Sequence, residues 1–194
     1  MARAQAHTLE AVAAALILVS SLVFALQVTA VTPLTGSTSS QHIENQQAAV
    51  AEGVLASAAD TGSLTPTLLY WNESAEDWHG ASEDGYVRGG PPTAFGATLN
   101  ETFLDRGIVF DLTLYYVDDE GDRQRVRIVD LGEPSDHAST ARRTVTLADD
   151  DPLRDPDRSA SDTTLANASY PAPDAAPGQS LYSVVEVELV VWRM

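Results

Sequence analysis

The side chains able to do chemistry are thinly spread along this chain of 194 residues. Four histidines, His7, His42, His79 and His137, stand far apart, and Asp136-His137 falls in a stretch rich in Ser and Pro where an Asp–His pair could serve a hydrolase. No G-x-S-x-G, P-loop, G-x-G-x-x-G or H-E-x-x-H pattern accompanies them, so no nucleophile is paired with a base and no phosphate cradle is encoded. The chain reads as a non-enzyme that takes no cofactor. Asp149, Asp150, Asp151, Asp155 and Asp157 offer oxygen ligands of the kind Ca²⁺ takes, about six to eight at once. They lack the alternating spacing of an EF-hand, and consecutive aspartates cannot all face one ion, so a solvated acidic loop is expected there and no metal. Trp71, Trp78 and Tyr86 lie among acids and glycines in "WNESAEDWHGASEDGY". Their rings suit stacking on a sugar or a partner, with packing at a sheet edge the favoured use. Asn72, Asn100 and Asn167 each open an Asn-x-Ser/Thr sequon, candidate N-glycosylation sites that suit an exported, glycosylated domain.

Composition bounds the scaffold that must hold these groups. Asp and Glu total 28 against 11 basic residues, all of them arginine, for a formal net charge of −17. All of these charges except Arg3 and Glu10 lie from Glu44 onward. Such a surface repels phosphate backbones, so nucleic acid is excluded as a partner. An acidic surface without lysine resembles the proteins of salt-loving archaea, because at molar salt the Debye length falls to about 3 Å and carboxylates no longer repel one another over distance; an ordinary acidic protein is the alternative. With no cysteine, neither a disulfide nor a thiolate site is possible.

The elements follow from periodicity. Ala11 to Val31 is apolar apart from Ser20, Ser21, Gln27 and Thr29. As a helix it would reach about 32 Å, against about 30 Å for a bilayer core. A membrane-spanning helix over 10–31 is therefore expected, ahead of a cleaved secretory signal ending near Val28–Val31. Arg3 favours a cytoplasmic N-terminus and an extracellular C-terminal domain. Pro33 and Gly36 suggest a neck over 32–39, and Thr38-Ser39-Ser40-Gln41 a capping box that opens a second helix over about 40–59, stopped at Gly62. Its expected apolar positions are Ile43, Val50, Val54, Leu55 and Ala58.

Beyond Gly62 the period becomes two. Ile108–Val117, Arg123–Leu131, Arg142–Ala148 and Leu181–Trp192 read as strands, with Thr67–Trp71 a shorter one and "DDEGD" at Asp118–Asp122 a hairpin turn. The head over 40–194 is expected to be α+β, one helix on an antiparallel sheet of four or five strands. Asn72–Pro92, Asp149–Asp162 and Pro171–Gly178 read as loops. Arg123, Arg125 and Arg127 share a strand face, as do Glu186 and Glu188, which suits either cross-strand pairs or two separate solvated faces, the second preferred.

The residues ahead of the apolar run, "RAQAHTLE", resemble the class III signal of type IV pilins and archaeal flagellins. That resemblance implies a leader and membrane-proximal segment over 1–9, cut by a prepilin-type peptidase between Ala4 and Gln5. It implies a pilin-like fold and a membrane-anchored, surface-exposed structural or accessory subunit of a type IV pilus-like assembly, whose partners are the lipid bilayer, copies of itself or other pilin-like subunits. Glu10 would then meet the new amino terminus of a neighbouring subunit, the alternative being a cap on the first helical turn. Ala11, Ala14 and Ala15 would allow close helix–helix approach. A non-polymerising surface binding protein is the competing reading, and an anchored hydrolase a weaker one.

Overall fold

Alternation of apolar and polar residues sets the long strands. The computed structural model describes the backbone of residues 2–30 and 34–193, and the side chains of 10–25 and 41–193. Within it, β3 (Ile108–Val117), β4 (Arg123–Val129), β5 (Ser139–Ala148) and β8 (Leu181–Arg193) form one antiparallel sheet in the order β4-β3-β8-β5. Phe110, Leu112 and Leu114 of β3 pair with Val191, Leu189 and Val187 of β8, and all six side chains are buried. The α+β class and a four-stranded antiparallel sheet are thus observed. Trp71–Asn72 (β1) pairs with Asp77–Trp78 (β2), and Pro152–Arg154 (β6) with Ala160–Thr164 (β7), in two small antiparallel sheets.

Among the described residues there are four α-helices: α1 (Ala2–Ala30), α2 (Leu34–Asp60), α3 (Leu64–Leu68) and α4 (Ala94–Thr102). The chain divides into two compact units, Met1–Ile43 and Glu44–Met194. In the second unit, α2 buries Gln47, Ala51, Leu55 and Ala58, a helical i, i+4, i+8, i+11 stripe, whereas Ile43 and Val50, expected on the apolar face, are exposed. Gly62 closes α2 in the left-handed region at φ 70°, with Ser63 N–H donating to Ala58 O at 2.9 Å.

Several expectations are overturned. Among the described residues no helix is long and apolar enough to cross a membrane, so the transmembrane helix and the single-pass localisation are withdrawn. The physical reason is length. Helix α1 opens with Arg3, Gln5, His7, Thr8 and Glu10, and Gln27 and Thr29 stand near its end. The uninterrupted stretch between Glu10 and Gln27 reaches about 24 Å, short of the roughly 30 Å of hydrocarbon to be spanned. Helix α2 already begins at Leu34, so most of the stretch taken as a neck is helical and Thr38–Gln41 is not its start; Pro33 lies outside the described residues. Thr67–Leu69 is not a strand. Leu64 and Leu68, spaced i and i+4, are both buried by a helical turn, and Pro66 sits in the first turn, where its missing N–H is not needed. Two of the three expected loops carry the β1–β2 and β6–β7 hairpins, while 171–178 contains no helix or strand.

Candidate functional site

The residues singled out from the sequence do not converge. Glu10, Ala11, Ala14 and Ala15 lie exposed on α1, while the side chains of Ala4 and Gln5, where the leader cut was placed, lie outside the described residues. From Val12 to Phe24, eight large apolar side chains of α1 are exposed, by 47% at Val23 up to 69% at Ile17, Leu18 and Phe24. Leu16, Ile17, Leu18 and Val19 are consecutive, and at about 100° per residue they point to every side of the helix. The sequon asparagines are dispersed. Asn72 Oδ1 accepts from Ser74 N–H, Asn167 Nδ2 donates to Thr164 Oγ1, and Asn100 stands within α4 with its Oδ1 accepting from Gly90 N–H at 2.8 Å.

Groups that suggested chemistry are accounted for by packing. Trp71 and Trp78 are buried edge-to-face, ring centroids 5.0 Å apart, and Trp71 Nε1 donates to Ser169 O. Tyr86 donates to His79 O at 2.6 Å, and burial pushes its phenol above the ordinary range. His137 Nδ1 lies 2.7 Å from the carboxylate of Glu44, and the Ser139 hydroxyl donates to the Glu44 backbone carbonyl at 2.8 Å. The aspartates of 149–157 do not gather. Asp151 accepts from Ala148 N–H and Asp157 from Ser159, whose hydroxyl lowers the Asp157 pKa. Among the described residues, carboxylates spaced for a cation occur at Asp118, Glu120 and Asp122 in the β3–β4 turn. There Asp118 already accepts from two backbone N–H groups of the turn and from Gln124.

On the polar face of the sheet, β3 separates β4 from β8, so the arginine and glutamate strands are not neighbours. Arg123 nevertheless reaches across the Tyr115 ring, 4.1 Å from its centroid, to Glu186 at 2.5 Å. Glu188, almost fully buried, is held by Arg142 of β5 at 2.5 Å and by the Tyr115 hydroxyl at 3.1 Å. A carboxylate in that position needs those donors to offset its lost hydration. Both anions are answered by the protein itself, which makes this a structural network.

Among the described residues, a cleft of about 890 Å³ lies between the end of α2, the start of α4 and the β6–β7 hairpin. Its charged lining residues are Arg154 and Arg158, and no acid lines it. The hairpin is fixed at its base: Arg154 N–H donates to Leu69 O at 2.8 Å, His79 Nε2 meets Arg154 O at 3.0 Å, and the Tyr70 hydroxyl donates to Pro156 O at 2.8 Å. Tyr70 and His79 are themselves stacked at 5.0 Å. On the opposite wall Thr93 caps α4, accepting from Gly96 N–H, and its hydroxyl meets that of Thr67 at 2.7 Å in the interior. Gly96 lets the Pro91 carbonyl pass where a Cβ would lie only 1.9 Å away, and a Cβ on Gly90 would lie 2.7 Å from Gly96 O. Arg154 is partly buried; its Nε is inaccessible and has no hydrogen-bond partner, and its guanidinium makes no ion pair among the described residues. Arg158 adopts φ 74° at the hairpin tip, and its Nη1 lies 3.4 Å from Pro92 O.

Sequence reading missed this cleft. The signal available was Thr93 after Pro91-Pro92, a cap ahead of a helix; nothing local joins Arg154 to it, because the joining bonds run to Leu69 and His79. No curated protein and no solved structure matches the chain. A family model does match, over residues 3–191, which is nearly its whole length, and the chain belongs to that family, DUF7288, a family of unknown function.

Proposed function

We propose that this chain is a structural or accessory subunit of a pilin-like assembly, in which α1 is covered by the corresponding helices of neighbouring subunits. The observation that carries the reading is the ring of exposed apolar side chains from Val12 to Phe24. A helix apolar on every side is a helix meant to be enclosed, and covering one such side chain contributes about 1.5–3 kcal/mol. Helices of neighbouring subunits are the covering medium in this reading; among the described residues no helix is long and apolar enough to cross a membrane. A helix with small residues at Ala11, Ala13, Ala14 and Ala15 supports close approach by another helix of the same kind. The acidic residues from Glu44 onward oppose gathering at low salt and cease to do so when the Debye length shrinks from about 10 Å at 0.1 M to about 3 Å at 1 M. Assembly should therefore strengthen with salt.

The chain has no cysteine, so Ala14→Cys introduces a unique thiol. Treating that variant with a bis-maleimide at low and at molar salt should give covalent dimers through the labelled helix, more of them at high salt, and Ile17→Glu in the same background should reduce them. Monomer alone at both salt concentrations would overturn the reading.

A further inference from the structure

The assembly reading makes no use of the cleft in the head, which is lined by Arg154 and Arg158. An arginine guanidinium has five N–H donors and no acceptor, and it keeps its charge at every relevant pH. Placed in a partly buried position without a partner it is costly, and such orphans in a folded protein mark a missing ligand, ion or water. Arg154 is that case: its Nε is inaccessible and unpartnered, its backbone is pinned by two hydrogen bonds, to Leu69 O and His79 Nε2, and the residue lines the cleft. The chain has acids to spare, since Asp and Glu outnumber arginine more than two to one. Glu186, Glu188, Asp130 and Asp60 answer four other arginines, yet none answers Arg154 or Arg158. The hairpin's own Asp155 and Asp157 do not line the cleft; Asp157 accepts from Ser159 and feels the Arg158 charge only as a lesser influence.

We propose that this cleft binds a small ligand through a carboxylate, sulfate or phosphate group, gripped by Arg154 from one wall and Arg158 from the hairpin tip. The volume suits a small molecule, within the roughly 300–1,000 Å³ of ligand pockets. The planar fork of Arg154 matches an oxyanion with two parallel hydrogen bonds. Ala94, in the first turn of α4 where N–H groups lack intrahelical acceptors, lines the far side and adds a favourable dipole. Tyr70, Pro66, Pro91 and Pro92 supply an apolar floor for the remainder of the ligand.

The full-length protein is titrated calorimetrically with inorganic phosphate, sulfate and glucuronate, and the thermal midpoint is followed with each. Binding of at least one is expected at millimolar concentrations, and the strongest of the three names the group recognised. Arg154→Met should lose about tenfold or more of that affinity while the midpoint of the unliganded protein stays the same or rises, because the guanidinium has no protein partner to lose. Arg158→Gly, which also relieves the positive φ, should weaken binding by less without destabilising the fold. Absence of binding for all three anions, or binding that Arg154→Met leaves intact, would overturn the assignment. Neither outcome touches the assembly reading, which rests on α1.

Discussion

Phe24 on α1 is 69% exposed, whereas Phe110 at the centre of the head's sheet is 0% exposed. The same residue type is thus handled in opposite ways by the two units. In Met1–Ile43, α1 satisfies its backbone by itself and leaves its large apolar side chains from Val12 to Phe24 exposed. In Glu44–Met194 the strands can satisfy their backbone only by pairing, and pairing brings Phe110, Leu112, Leu114, Val187, Leu189 and Val191 onto one shared face that α2 and α3 help to close. Burial in the head is a consequence of its hydrogen bonding; in α1 the two are independent. That difference is why the head can form a core of its own, while α1 leaves its apolar side chains exposed.

The strongest test of the contrast is a matched pair of truncations. Phe110→Ala should destabilise the head by about 3–5 kcal/mol, through lost transfer energy and a residual cavity. For a unit of this size that is a fall of roughly 10 °C in thermal midpoint. Phe24→Ala should leave that midpoint in place and act only on the yield of crosslinked species. A comparable loss of head stability in Phe24→Ala would break the comparison, because α1 would then belong to the head's core.

Two glycines sharpen it further. Gly53 is exposed in α2, and a Cβ there would meet nothing within 4 Å. Alanine should stabilise by about 0.5–1 kcal/mol, the backbone entropy that glycine loses in a helix. Gly96 is also helical, but its Cβ would fall 1.9 Å from the Pro91 carbonyl. Gly96→Ala should cost about 1–3 kcal/mol despite the better propensity, since the loop carrying Gly90 and Pro91 must move. Chemical denaturation of the two variants gives shifts of opposite sign, and it tests whether the loop is clamped against α4 as observed.

What could be read from the sequence follows the same division. The four long strands were legible because a buried face imposes a period of two, and their ends at Ile108, Val117, Arg123, Ala148 and Leu181 agree with the pattern. The stop of α2 at Gly62 was legible because a left-handed closing residue is a local requirement. Helix α3 was misread because "TLLYW" has strand-like composition, while the burial of Leu64 and Leu68 is decided by the sheet beneath them. The β6–β7 hairpin and the lone Arg154 were invisible for a related reason: the bonds that define them reach back to Leu69, Tyr70 and His79, and no window along the chain contains both ends. The membrane reading failed on counting. It took the apolar run through to Val31, across Gln27 and Thr29, and those positions decide whether the helix is long enough.

The smallest effect concerns a carboxylate that the head partly covers. Asp111, half-buried on β3, accepts from Leu131 N–H at 2.8 Å. Burial raises its pKa from the ordinary 3.8 to about 6, with nearby Asp130 adding to the rise, and the Leu131 hydrogen bond and Arg127 opposing it. Between those two values the folded state holds a proton that the unfolded chain has released. Its contribution is therefore fully present below the unfolded pKa and is lost as pH rises through the folded one. Asp111→Asn keeps an acceptor for Leu131 but has nothing to ionise. Its thermal midpoint should gain on that of the wild type as pH climbs from 4 to 7, with the change complete a little above 6. Because the carboxylate is half exposed to solvent, the gap should amount to about 1 kcal/mol or less, a few degrees in midpoint. A gap that stayed constant across the range would mean that Asp111 ionises as freely in the fold as in the unfolded chain, and that the head's closure ends short of this strand face.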